Sequence, residues 1–228
     1  TAVVRPLREN AAVMDVSEAE FESLVDDALD GIPEDIFAML DNVVVLIEAR
    51  PPEGMPELLG LYEGVPLTER DSSWMGSLPD HIRIFREPLL RMCRDRDELV
   101  HEITVTVVHE IGHVLGLAHS GPYDGTVNPA TQQLNATDTL LWSVMSYIAP
   151  TDAGARYFAA SPVAGTNWGR SADGYRRVPT TPQMLDILAV QQDLALDPGD
   201  GDGVVHAVDA AQKGGLAAAR GADKGRHG

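Results

Sequence analysis

The fold of this chain is decided by the stretch from His109 to His119, which reads HEIGHVLGLAH. In a helix, side chains four residues apart lie on the same face, one turn above each other. His109 and His113 can therefore bind one metal ion together, and imidazole nitrogens suit zinc. Glu110 lies between them, where its carboxylate can reach a water molecule at the metal as a general base.

A third histidine completes the pattern HExxHxxGxxH. His119 follows His113 by six residues, which is about 240° around an ideal helix and therefore on the wrong face. The helix must end before it, and Gly116 stands where the chain has to turn, because glycine takes the left-handed conformation that closes helices. Three histidines and an open position for water are the donor set of a catalytic zinc. HExxH alone also occurs by chance as two exposed histidines, but the glycine and third histidine at fixed offsets favour a zinc site.

Composition narrows the classes of protein that fit. The 228 residues can bury a good core and fit one domain, or one and a half. The net charge of -18 argues against a nucleic-acid partner, because phosphates would repel the chain. No apolar run approaches the roughly 18 residues of a membrane span, and no classical signal peptide is visible, although a cleaved signal stays open. The single cysteine, Cys93, allows no intrachain disulfide, and a buried or inert thiol is favoured.

Periodicity predicts an α+β arrangement of helices and short strands. A helix begins at Ser17, which starts a capping box, and ends at Gly31. The long helix is capped by Asp95 or Asp97 and runs to about Leu115. The other predicted elements are a short helix over 34–40, a buried strand over 42–48, strands over 58–63 and 81–86, a helical turn over 88–93, and a last helix opened by Pro182, with one face formed by Met184, Leu185, Leu188, Ala189 and Gln192.

The first half of the chain resembles a small bacterial zincin-like family of unknown function. The matching stretches are FESLVDDALDGIP (21–33), LDNVVVLIE (40–48), LLGLYEGVPLTER (58–70), LPDHIRIFREPLLRMCRDRDELVHE (78–102) and TVVHEIGH (106–113). The resemblance implies a compact half of helices and sheet that ends in the zinc helix, and it implies no known substrate. In that family the motif continues with an acidic residue at the position of His119.

The second half resembles a metzincin, closest to the serralysins. The matching stretches are VLGLAHSGPYDG (114–125), DTLLWSVMSY (138–147) and TPQMLDILAVQQ (181–192). The resemblance implies that Met145 lies in a Met-turn beneath the zinc, that Tyr147 reaches the metal or the transition state, and that Asp186 supports the turn by accepting buried backbone N–H groups. The alternatives are an ordinary core methionine, a packed tyrosine and a surface aspartate.

The two resemblances meet on HExxH and define the predicted domain organisation. Residues 1–17 are a loose lead-in, and residues 18–196 are a zinc metallopeptidase domain with an upper half (18–116) and a lower half (117–196). The expected fold is α+β, of the zincin or metzincin type, with two subdomains, a mixed sheet, a long zinc-binding helix, a Met-turn and a C-terminal helix. Residues 197–228 are an acidic turn and a Gly/Ala-rich tail expected to be disordered.

The start of the tail resembles half of a calcium loop. If Asp202 and Gly203 are loop positions 5 and 6, then Asp200 falls at position 3 and Asp209 at position 12. Pro198 then occupies position 1, where an acidic ligand belongs. A Ca²⁺ site and an acidic turn without metal both fit this pattern.

The function predicted from these observations is zinc-dependent hydrolysis of internal peptide bonds, with Glu110 as general base and a protein or peptide as substrate. An exposed strand over residues 60–63 is the predicted partner of the extended substrate backbone. A zinc-stabilised binding or structural protein without turnover is the first alternative, and hydrolysis of a small amide or a terminal residue is the second. Secretion is favoured over a cytoplasmic location, and the sequence predicts no oligomeric state.

Overall fold

The computed structural model describes residues 2–4, 14–55, 58–70, 78–123, 126–134, 137–140, 142–148 and 180–193. The predicted calcium ligands Asp200, Asp202 and Asp209 lie outside these stretches, together with the rest of the tail. Among the helices of the described stretches, none is both long enough and apolar enough to cross a bilayer.

A mixed four-stranded sheet supports the rest of the described chain. Its strands are β1 (Ala2–Val4), β2 (Val43–Glu48), β3 (Leu58–Glu63) and β4 (Asp80–Phe85), in the order β1-β3-β4-β2. β2 runs parallel to β4, whereas β1 and β4 both run antiparallel to β3. Together with the helices, this mixed sheet confirms the predicted α+β class.

Two helices begin at the predicted capping residues. The Ser17 hydroxyl accepts a hydrogen bond from the backbone N–H of Glu20 at 3.2 Å, and the Asp95 carboxylate accepts one from Glu98 at 2.9 Å. The helices of the described chain are α1 (Glu18–Asp30), α2 (Glu34–Phe37), α3 (Arg86–Met92), α4 (Arg96–Val114), α5 (Pro129–Gln132) and α6 (Met184–Asp193).

The main core lies between the sheet and the two longest helices, α1 and α4. α1 packs against α4, and α4 packs against β3. The buried side chains at this interface include Phe21, Leu59, Ile84, Ile103 and Val107. Each buried aliphatic or aromatic side chain of this kind contributes about 1.5–3 kcal/mol to folding. This core fixes the position of α4, which carries the first two histidines of the motif.

β2 is an edge strand, and the prediction that it is fully buried was wrong. Val44 is 40% exposed and Leu46 is 37% exposed, whereas Val43, Val45 and Ile47 pack against the core. Successive side chains of a strand point to opposite faces of the sheet, so at this edge only alternate residues reach the core. A run of β-branched residues cannot distinguish this arrangement from a strand buried on both faces.

β1 pairs with the first part of β3, so Gly60 and Leu61 do not belong to the exposed strand that we predicted over residues 60–63. Gly60 pairs with Val3 of β1 on one side and with Ile84 of β4 on the other. The fourth strand comes from the first residues of the chain, which show no periodicity and were predicted to be a loose lead-in. An extended substrate would therefore have to take the place of β1 to pair with Gly60 and Leu61.

A buried ionic cluster fixes the loop that follows β3. The Asp80 carboxylate accepts hydrogen bonds from the Tyr62 hydroxyl and from the Arg70 guanidinium, both at 2.7 Å. Burial is the main cause that raises the pKa of the Tyr62 phenol, so it remains a donor. A short 3-10 helix (Leu67–Glu69) lies in this loop and reaches the end of α4.

Candidate metal centre

α4 presents the first two histidines of the motif on one buried face. His109 is 2% exposed and His113 is 3% exposed, and their ring centroids are 4.8 Å apart. The second half of α4, from Val105 to Val114, is buried throughout, because the helix packs between the sheet on one side and residues 142–148 on the other. The helix is thus held rigidly where it carries the two imidazoles.

Gly116 ends the helix and turns the chain toward the third histidine. Its φ of +100° lies in the left-handed region, and the N–H of Leu117 bonds back to the carbonyl of Gly112 at 2.9 Å. A Cβ at position 116 would also lie 2.5 Å from Cγ2 of Thr68 in the 3-10 helix. Glycine is therefore required at position 116 for two reasons: the left-handed backbone conformation and the lack of space for a side chain beside Thr68.

Replacing Gly116 with alanine is expected to lower the free energy of unfolding by about 2–5 kcal/mol. About 1–2 kcal/mol comes from the left-handed conformation and about 1–3 kcal/mol from the collision with Thr68. Gly54→Ala is the matched control, because Gly54 has a φ of +82° but nothing within 4 Å of the added Cβ. Urea unfolding of the metal-free variants measures both effects. Equal losses in the two variants would show that Thr68 does not constrain the turn.

The three histidines converge on one point. The Nε2 atom of His109 lies 3.1 Å from that of His113 and 3.2 Å from that of His119, and the candidate ligand atoms of the three residues all lie within 4.8 Å of one another. Zn–N bonds of 2.0–2.1 Å in a tetrahedral site place neighbouring nitrogens about 3.3 Å apart. The two measured Nε2 separations match this spacing.

The outer nitrogens of the three rings all face backbone carbonyls. The Nδ1 atoms of His109, His113 and His119 lie 3.0, 2.7 and 2.8 Å from the carbonyl oxygens of Val144, Leu117 and Tyr123. A carbonyl only accepts hydrogen bonds, so each Nδ1 carries the proton and each Nε2 turns its lone pair inward. Three inward lone pairs with no proton between them are the arrangement that a metal ion stabilises. The residues present therefore fit zinc.

Burial also keeps the ring of His113 neutral. It lowers the pKa of His113 to about 3, and the hydrogen bond to Leu117 opposes this shift only in part. Neutral imidazole is the form that binds metal, so this ligand is ready to bind at neutral pH.

Glu110 lies on the same helix turn and is fully buried. Its carboxylate faces β3 at Gly60, where an added Cβ would lie 2.6 Å from Oε1 of Glu110 and 2.7 Å from Cγ2 of Thr106. Gly60 thus leaves room for the carboxylate. The sequence singled out residues 60–63 as a partner strand for substrate, but it did not indicate this role for the glycine.

Met145 packs directly under the turn of α4 that carries the two histidines. The methionine is 1% exposed, and a Cβ at Gly112 would lie 2.6 Å from its sulfur atom. Gly112 separates the two ligands on the helix and leaves the space that the thioether fills. The sequence motif contains this glycine, but its spacing pattern does not reveal the contact.

Asp186 supports the segment that carries Met145. Its carboxylate accepts hydrogen bonds from the Ser143 hydroxyl at 2.5 Å, from the Val144 N–H at 2.9 Å and from the Gln183 N–H at 2.7 Å. Burial raises the pKa of Asp186, and these three donors oppose that shift. Since the carbonyl of Val144 accepts from His109, Asp186 is two hydrogen bonds away from a ligand.

The prediction that Leu188 lies on the buried face of the last helix was wrong. Leu188 is 53% exposed, whereas Asp186 and Val190 are 3% and 5% exposed and face inward. The inward position at Asp186 is polar, and a search for apolar residues at helical spacing therefore selects a different face.

Tyr147 lies beside the third histidine. Its hydroxyl is 2.9 Å from Nε2 of His119, and the two ring centroids are 4.6 Å apart. The structure thus brings together His109, His113, His119 and Tyr147. Glu110 lies on the helix between the first two histidines, and Met145 lies against Gly112. Two buried residues near this group, Tyr123 and Asp138, were not singled out from the sequence, although both lie in the stretches that resemble metzincins.

Comparisons with known proteins give partial matches to this chain. The model of the zincin-like metallopeptidase family matches residues 40–120, which include the whole histidine motif. The metalloprotease AprA of Pseudomonas entomophila is 43% identical over 67 residues, and the alignment covers 25% of this chain and 14% of that protein. A structure of a conserved hypothetical protein from Thermo thermophilus aligns with a TM-score of 0.33 at 26% identity, over 43% of this chain and 94% of that chain.

The chain spans only a small part of the metalloprotease that it matches. The chain is thus similar to zincin-like metallopeptidases over residues 40–120, the region that contains the three-histidine cluster.

Proposed function

We propose that the chain is a zinc-dependent endopeptidase of the metzincin type that hydrolyses internal peptide bonds of proteins. The observation that carries this proposal is the convergence of three Nε2 lone pairs, each fixed by a carbonyl on the opposite side of its ring. A protein held together by zinc without turnover would not need a buried carboxylate on the same helix turn, and Glu110 is such a carboxylate.

His109, His113 and His119 would hold the zinc. When bound there, zinc supplies a Lewis acid that polarises the scissile carbonyl and lowers the pKa of water. Glu110 accepts a proton from the attacking water at a carboxylate oxygen and passes it to the nitrogen of the leaving amine. Because Glu110 is fully buried, bulk water does not screen its interaction with charges that develop during the reaction.

Tyr147 would stabilise the charge that develops on the substrate oxygen. Once the lone pair of His119 Nε2 is directed to a metal, the phenol no longer donates its proton to that nitrogen. The hydroxyl would then donate to an oxyanion close to the three histidines. A role in binding the metal itself would use the same position.

Met145 would support the site from below as the methionine of a Met-turn, and Asp186 would stabilise that turn. The contact of Met145 with Gly112 and the hydrogen bonds of Asp186 to Ser143 and Val144 favour this assignment. In this proposal the lower half of the domain closes on the helix that the upper half presents.

Chelation is expected to abolish cleavage of casein and of quenched peptides, and added zinc is expected to restore it. Product masses from a mixed peptide pool should show internal cuts, because the proposed chemistry requires no free terminus. Trimming from the ends alone would instead support hydrolysis of terminal residues. A chain that binds one zinc ion tightly and cleaves neither substrate would contradict the proposal and favour a binding or structural protein.

A further inference from the structure

Regular secondary structure fixes His119 less than it fixes His109 and His113. It follows the last residue of α4, Val114, and lies in neither a helix nor a strand. Tyr123 holds it in two ways. The Tyr123 carbonyl accepts from Nδ1 of His119 at 2.8 Å, and the two rings stack with centroids 5.9 Å apart at 22°. The position of the third ligand therefore depends on what fixes Tyr123.

Tyr123 is fixed by a buried carboxylate. Its hydroxyl donates to Oδ1 of Asp138 at 2.5 Å, and the Ser146 hydroxyl donates to the same oxygen at 3.0 Å. The N–H of Leu134 lies 3.4 Å from Oδ2 of Asp138. Asp138 is only 1% exposed, and a buried carboxylate requires such donors to offset its loss of hydration.

The same phenol also reaches the segment that carries Tyr147. The backbone N–H of Tyr147 lies 3.4 Å from the Tyr123 hydroxyl oxygen, and the two ring centroids are 5.1 Å apart. Tyr147 in turn places its hydroxyl 2.9 Å from Nε2 of His119. The side chain of Tyr123 thus contacts both His119 and Tyr147.

Steric contacts show how closely this cluster is packed. A Cβ at Gly121 would lie 2.6 Å from Oδ2 of Asp138 and would collide with the ring of Tyr123.

From this geometry we propose that Asp138 and Tyr123 are positioning residues for His119 and Tyr147. Asp138 fixes the Tyr123 phenol, and Tyr123 then orients the imidazole through its carbonyl and the Tyr147 segment through its hydroxyl. The inference rests on the zinc site of the proposed function, and it assigns roles to two residues outside the HExxHxxGxxH pattern.

Tyr123→Phe tests the proposal, with Tyr62→Phe as the matched control. Both changes remove a phenol that donates to a buried aspartate, at 2.5 Å to Asp138 and at 2.7 Å to Asp80. Both are expected to lower the melting temperature by comparable amounts. Only Tyr123→Phe is expected to weaken zinc binding, by about 10- to 100-fold, which is the usual effect of losing an outer partner of a ligand.

Two readouts separate positioning from general destabilisation. Competition with a chelator gives the zinc affinity of the full chain, and the visible absorption of the cobalt-substituted protein reports the geometry of the ligands. The cobalt bands should change in Tyr123→Phe and match the wild type in Tyr62→Phe. Wild-type affinity and cobalt bands in Tyr123→Phe would overturn the proposal, as would equal losses of affinity in both variants.

If Tyr123→Phe does not fold, Asp138→Asn and Asp80→Asn provide the same comparison on the acceptor side, with the same deciding outcomes.

The test does not depend on catalysis. A wild-type chain that binds zinc tightly but cleaves no peptide would refute the endopeptidase function and leave this comparison intact. An active wild type whose zinc affinity survives Tyr123→Phe would refute the positioning role alone.

Discussion

Replacing Glu110 with glutamine is expected to lower kcat/KM for peptide cleavage by about 100- to 10,000-fold, the usual contribution of general acid–base catalysis. Glutamine keeps the shape of the buried side chain beside Gly60 but cannot accept the proton of the attacking water. Zinc should be retained at one ion per chain, because Glu110 is not part of the three-histidine cluster. Glu110→Ala should give the same loss of activity with the same zinc content.

The control for this experiment is Glu63→Gln at the exposed end of β3, which should keep wild-type activity. Activities are compared on protein whose metal content has been measured, so that loss of zinc is not mistaken for loss of the base. Full activity of Glu110→Gln with one zinc per chain would refute the proposed mechanism.

Replacing His119 with alanine is expected to remove tight zinc binding. His109 and His113 would remain as two ligands on one helix, which is fewer than the three protein ligands of a catalytic zinc. The loss of affinity should exceed the roughly 10- to 100-fold effect of removing an outer partner, because a ligand itself is lost. Chelator competition measures the affinity, and metal analysis gives the zinc count per chain.

His81→Ala is the matched control for this change, since His81 lies on β4, outside the histidine cluster. It should bind zinc as the wild type does. Unchanged affinity in His119→Ala would mean that the residues after the zinc helix do not take part in binding the metal.

Local patterns were enough to predict the elements that carry the site. Ser17 and Asp95 cap their helices as their sequence context indicates, because capping depends only on residues within one turn. The convergence of His109 and His113 follows from helix geometry alone. Gly116 was identified from the requirement that the chain leave the helix before His119.

Features that depend on long-range contacts were not predictable in the same way. The pairing of residues 2–4 with β3 depends on a strand more than 50 residues away, and no local period marks it. Asp186 faces inward because Ser143 and Val144 donate to it. A search for apolar residues at helical spacing does not find a buried position that is polar. Tyr123 and Asp138 lie outside helices and strands, where side-chain positions follow from tertiary hydrogen bonds.

The three carbonyls that accept hydrogen bonds from the histidine rings come from three different segments, and this affects the rate at which bound metal exchanges. Leu117 directly follows α4, Val144 belongs to the segment beneath it, and Tyr123 lies in the connection that also carries His119. Moving that connection alone would break one ligand bond and leave the helix folded. The rate of zinc release would then be set by a local opening of residues 118–123, which is faster than global unfolding of the domain.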